Sequence, residues 1–206
     1  MATACASAAE APSVTQTLSV ALSPLPAAAN VSHALALHLY SFRGTRWNAD
    51  AIVDAVAQSA ALLATCGVAL TRAELHIIEA PRPFHFYDTP LSRELLRALP
   101  VEKPAVFFVE DTRNQPAFDA EAIGLRNSAT RPELANTVWV AYGSRDLPVV
   151  LAHELVHVLA DSGEHSDEPG NLMGEETSPD NTRLSPRQCE RLRTHAEANG
   201  LLSRYR

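Results

Sequence analysis

From Leu147 to Ala160 the chain reads LPVVLAHELVHVLA, and Val149, Val150, Leu151, Leu155, Val156, Val158 and Leu159 make a helix here apolar on nearly every side. Such a helix has no face to offer water, so the fold must provide layers that cover it. Its ionisable residues are His153, Glu154 and His157. Burying all three without a partner costs several kcal/mol. Residues four apart share one helix face, so both imidazoles can converge on one cation with Glu154 beside it. Zn2+ is the expected cofactor: two imidazole nitrogens and a third protein ligand hold it, and water takes the open position. Glu154 is then the expected general base, taking a proton from the zinc-bound water as it attacks a carbonyl and passing it to the leaving amine.

The third ligand has several candidates. His165 fits best, because Gly163 can end the helix at positive φ and turn the chain so that the next residues face the two helical histidines. Asp161, Glu164 and Asp167 compete from the same loop. A carboxylate on a separate segment is the other common arrangement and nominates Glu175, Glu176 or Glu190.

The rest of the chain alternates strands with helices. His33 to Phe42 reads as a strand, a helix capped by Asn48 or Asp50 runs to about Cys66 and ends at Gly67, and Leu75 to Ile78 returns as a strand. A short helix from Ser92 to Leu99, a strand from Ala105 to Glu110, a short edge strand over Glu121 to Leu125 and a strand from Thr137 to Tyr142 follow. After the motif helix, begun by Asp146 and Pro148, a last helix capped by Ser185 spans about Pro186 to Ala198 and stops at Gly200. This order predicts an α/β (α+β) fold in one domain over residues 31–206, with a sheet containing parallel strands. Residues 1–30, rich in Ala, Ser, Thr and Pro with Glu10 as the single charge, read as a disordered tail or the remnant of a signal peptide.

With 46% apolar and 20% charged residues over 206 positions, and without a long apolar run, the chain reads as soluble, with no membrane partner. A net charge of -7 without a cationic run argues against nucleic acid. The expected partner is a peptide or protein substrate. Ala6-Ser7-Ala8 looks like the end of an incomplete signal, so the expected location is secreted or periplasmic, with the cytoplasm as the alternative. Cys66 and Cys189 could pair in an oxidising compartment and leave Cys5 odd, or stay as two buried thiols.

The run HELVHVLADSGEHSDEPGNLM resembles the zinc signature of the metzincin metallopeptidases, and within them it is most similar to the matrixin type: Ser166 follows the third histidine, and Leu172-Met173 places a methionine eight positions after it. The resemblance implies zinc bound by His153, His157 and His165, Glu154 as general base, Met173 in a tight turn beneath the metal, and a motif helix crossing below a twisted, mostly parallel sheet with an antiparallel edge strand. It departs from the family in two places. Seven residues separate His157 from His165 where the family has five, and Gly174 follows Met173 where Tyr-Pro is frequent. In such a fold Ile123 and Gly124 belong to the rim that an extended substrate joins as a strand, and Arg183 reaches the pocket beyond the scissile bond. These residues point to a zinc-dependent endopeptidase. The alternatives are a zinc-holding but non-catalytic binding or inhibitory module on the same fold, and a peptidase with a carboxylate third ligand.

Overall fold

A computed structural model describes residues 11–22, 30–115 and 117–205. Among these residues seven strands form one sheet: β1 (Ser13–Ser19), β2 (His33–Phe42), β3 (Val68–Glu79), β4 (Ala105–Val109), β5 (Ala120–Ile123), β6 (Thr137–Ala141) and β7 (Ser203–Arg204). The order is β1-β3-β2-β4-β6-β5, and β7 pairs with the start of β2. The central pairs β3/β2, β2/β4 and β4/β6 are parallel, whereas β1/β3 and β5/β6 at the two edges are antiparallel. Helices α1 (Ala49–Ala64), α2 (Thr89–Ala98), α3 (Leu147–Ala160) and α4 (Pro186–Ala198) complete the mixed α/β fold.

Strand alternation divides the core in two. Leu35, Leu37, Leu39, Leu75, Val106, Phe108, Val138 and Val140 turn to the face covered by α1, α3 and α4. Tyr40, Phe42, Ile78, Phe107 and Trp139 turn to the opposite face, under α2 and the single turn Arg82–His85. Phe107 stacks on Trp139 at 4.3 Å and on Tyr40 at 4.8 Å between ring centroids. Helix α3 is the interior element that its composition demands: Leu151, Leu155, Val158 and Leu159 are all 0–1% exposed. Burying each such leucine or valine contributes roughly 1.5–3 kcal/mol, which offsets the cost of drawing a polar histidine pair into the same layer.

Local chemistry sets the boundaries. Asn48 accepts the Asp50 N–H at 2.8 Å to open α1. Gly67, at φ +72, turns the chain directly into β3, where a Cβ would stand 2.8 Å from the Asn30 carbonyl. Helix α2 begins a turn before Ser92 because Asp88 accepts the Leu91 N–H and Pro90 fits the first turn. Helix α4 opens with a reciprocal Ser185–Gln188 capping box. Cys66 and Cys189 form a disulfide that fastens the end of α1 to α4.

Two expectations are corrected. Ser13–Ser19, placed by its composition in an unpacked leader, forms β1 along β3, with all seven residues exposed and Val20 buried just after it. An edge strand is held by main-chain hydrogen bonds and needs no buried face, so no apolar alternation marks it. Strand β3 is also longer than Leu75 to Ile78, because β2 pairs with it from Val68 to Ile78 across the polar Thr71-Arg72 step and β1 pairs with its other edge from Glu74 to Glu79. Cys5 and the Ala6-Ser7-Ala8 run lie outside the described residues.

Candidate metal centre

His153 and His157 stand one turn apart on α3, and the following loop brings His165 to them. The Nε2 of His157 lies 2.9 Å from that of His153 and 3.3 Å from that of His165. Nδ1 of His153 donates to the Leu172 carbonyl at 2.8 Å, and Nδ1 of His157 donates to the Ser162 carbonyl at 2.6 Å. A carbonyl only accepts, so both rings carry their proton on Nδ1 and present a lone pair at Nε2. Two lone pairs held this close repel, and a cation shared with His165 removes the repulsion. Ligand nitrogens around a tetrahedral zinc stand roughly 3.3 Å apart, so the donor set and its spacing fit that ion. Burial, with a contribution from His153, pushes the His157 imidazole down to about 4, and burial lowers His153 as well. Both rings therefore stay in the neutral, ligating form at ordinary pH.

The turn that returns His165 is made by Asp161, not by Gly163. Asp161 adopts the left-handed conformation (φ 47°, ψ 51°), while Gly163 is not among the residues at positive φ. The strain of a Cβ at that conformation is offset because the buried Asp161 carboxylate accepts the Arg126 N–H at 2.9 Å and faces its guanidinium at 3.4 Å. Asp161 is thereby committed to the segment after β5, and Glu164 is paired with Arg191. Among the described residues, the group able to hold a metal here comprises His153, His157 and His165, with no carboxylate from the 161–190 candidates joining it.

Met173 is buried in the turn whose Leu172 carbonyl meets His153. Asn171 Oδ1 accepts the Met173 N–H at 2.9 Å, and the Asn171 carbonyl accepts the Gly174 N–H at 3.0 Å. Ser166 donates to the Met173 carbonyl at 2.7 Å, tying the loop beside His165 to this turn. The Asn171 amide also bonds Gln188 of the α4 capping box at 3.0 Å. Through the Leu172 carbonyl, that chain of contacts fixes the His153 ring.

Glu154 is half-buried and opens on a cleft of about 680 Å³ that it shares with the three histidines, β5 and Glu175. Burial and then the charge of Glu121 push its carboxyl up to about 8, opposed by the Ala122 N–H. Positive charge held by the imidazoles would favour the ionised form.

Of the expected substrate residues, Gly124 lines the cleft, whereas Ile123 points into the aromatic core and is fully buried. Arg183 is not among the lining residues. Its guanidinium donates to the Pro169 carbonyl at 2.6 Å, and its backbone pairs with Gly170 and Leu172. That bond turns the side chain toward its own loop rather than toward the cleft. Sequence reading missed Glu121 as the charge facing Glu154, and missed the Leu172 and Ser162 carbonyls that orient the imidazoles. The alternation of Glu121 along the edge strand was the only available signal.

No protein-family model matches the chain, and no curated protein matches it. Among solved structures, the crystal structure of archaemetzincin from Methanopyrus kandleri is similar, with a TM-score of 0.50 and 17% identity over 84% of this chain and 99% of that one. At that identity the likeness shows a shared fold.

Proposed function

We propose that the protein is a zinc-dependent endopeptidase of metzincin type, matrixin-like in its third histidine and Met-turn, that hydrolyses peptide bonds in peptides or proteins. The observation that carries this reading is the set of three Nε2 atoms converging in a cleft that also holds Glu154. In this reading His153, His157 and His165 hold the zinc, which when bound supplies a Lewis acid that polarises the scissile carbonyl and acidifies a water. The Glu154 carboxylate accepts a proton as the water oxygen attacks the carbonyl carbon. It gives that proton to the amine nitrogen as the C–N bond breaks. Strand β5 ends the sheet, and its outer edge lines the cleft. An extended substrate adds there as a further strand, its backbone amides and carbonyls satisfied main chain to main chain. The Cys66–Cys189 disulfide suits a secreted or periplasmic protein.

The test is cleavage of a denatured protein substrate by the purified chain, its loss on chelation and its return with zinc. Glu154→Gln should slow cleavage by orders of magnitude while leaving metal content unchanged. If that variant cleaves at the wild-type rate, the assignment of the base is wrong. If wild type binds zinc and cleaves no substrate, the reading gives way to a zinc-holding binding module.

A further inference from the structure

A second group of metal-ligating side chains lies on the opposite face of the sheet from α3. His38 on β2 pairs with Glu74 on β3, and His76 follows two positions along β3 on the same side. One ligand atom from each of the three lies within 4.8 Å of the others. Neighbouring rings fix the orientation: His76 stacks on Tyr40 at 4.8 Å and lies nearly parallel to His38 at 5.9 Å.

Each imidazole has one nitrogen turned toward a polar group and one left over, the His38–Glu102 contact being longer than a hydrogen bond. His76 Nδ1 is 3.0 Å from the Thr17 hydroxyl of β1, and His38 Nε2 is 3.6 Å from the Glu102 carboxylate. His38 Nδ1 and His76 Nε2 are buried, and neither has a hydrogen-bond partner among the described residues. His38 itself is 2% exposed. Two buried, unpartnered ring nitrogens beside the Glu74 carboxylate, 3.8 Å from His38 Nδ1, are an arrangement that protein interiors avoid unless something joins them. A proton on His76 Nδ1, beside the Thr17 hydroxyl, and on His38 Nε2, which faces the Glu102 carboxylate, leaves a lone pair on the other nitrogen of each ring, as ligation requires. The positive charge nearby belongs to Arg72, and it faces Glu102 at 3.6 Å. Burial lowers both imidazoles from their ordinary value, which favours the neutral ring.

We propose that His38, Glu74 and His76 bind a second divalent transition-metal ion of the zinc class, distinct from the one in the cleft. Two imidazole nitrogens and one carboxylate suit zinc and its borderline neighbours, whereas magnesium and calcium require a shell of oxygens. The site's ligands span β2 and β3. Thr17 of β1 and Glu102 of the segment after α2 orient its rings, so the ion pins the β1 side of the sheet far from the cleft.

Zinc alone is the probe, measured by equilibrium dialysis and elemental analysis of the full chain. Wild type should saturate at about two ions per chain and the double variant Glu74→Gln/His76→Ala at about one. The cleft variant His157→Ala/His165→Ala should still bind about one ion, and zinc should raise its unfolding midpoint. Adding Glu74→Gln to that variant should remove both effects. Saturation of wild type at a single ion overturns the proposal. So does a double variant, folded by circular dichroism, that keeps both ions, or a cleft variant whose unfolding midpoint zinc does not move.

Discussion

Replacing both bridged cysteines, Cys66→Ala/Cys189→Ala, should cost the fold much of its stability while sparing the chemistry. The bridge closes a loop of 123 positions. In the chain-entropy account, the unfolded state regains about 2.1 + 1.5R ln n, or roughly 16 cal/mol/K for a loop of this length, which is about 5 kcal/mol at 25 °C. For a domain of this size each kcal/mol moves the midpoint by roughly 2–4 °C, so the variant should melt about 10–20 °C below wild type. Both sulfurs are buried away from the cleft lining, so cleavage measured well below the new midpoint should be retained. The assay is denaturant and thermal unfolding of wild type and variant, with and without a non-thiol reductant that leaves zinc in place. Reductant should bring wild type to the variant's midpoint and leave the variant unmoved. A loss below about 1 kcal/mol would refute the reasoning that this long-range bridge stabilises the fold by restricting the unfolded chain.

Glu154→Gln should lower kcat/KM on a peptide substrate by roughly 10²–10⁴-fold with zinc content unchanged, checked by steady-state kinetics and elemental analysis. Gly124→Ala places a Cβ 2.8 Å from Asp161 Oδ1, so the carboxylate must leave the Arg126 N–H. This should destabilise the protein by roughly 1–3 kcal/mol and raise KM, checked by denaturant titration alongside kinetics. Lys103 is pushed down to about 8 by burial, while its ammonium donates to the Glu133 and Ala135 carbonyls. With the unfolded value near 10.5, the unfolded state binds more protons between these limits, so wild-type stability should gain a rising component from pH 8 to 10. Lys103→Met should remove that component from the unfolding free energy measured across the same range.

Interior elements were legible in the sequence because burial leaves a pattern. Helix α3 announced itself by having no polar face, β2 by an alternating, apolar-rich stretch, and β4 and β6 by short apolar runs. What sequence reading missed depends on partners far along the chain. Strand β1 is exposed throughout, so its pairing with β3 leaves no trace in hydropathy. A glycine is the natural guess for a left-handed turn, yet Asp161 makes it, held by Arg126 from thirty-five positions away. His38 and His76 meet only because β2 and β3 pair in one register. Arg183 looked free on the page because its acceptor, the Pro169 carbonyl, is fixed by the turn at Gly170.

Crystals of the zinc-loaded protein, measured at the zinc absorption edge, test the central claim most directly. The expected result is an anomalous peak bounded by His153, His157 and His165, with Nε2 contacts near 2.0–2.1 Å and a non-protein oxygen in the fourth position. A peak closed by Asp161, Glu164 or Glu175 as a further protein ligand, or zinc that avoids the three histidines, would contradict it.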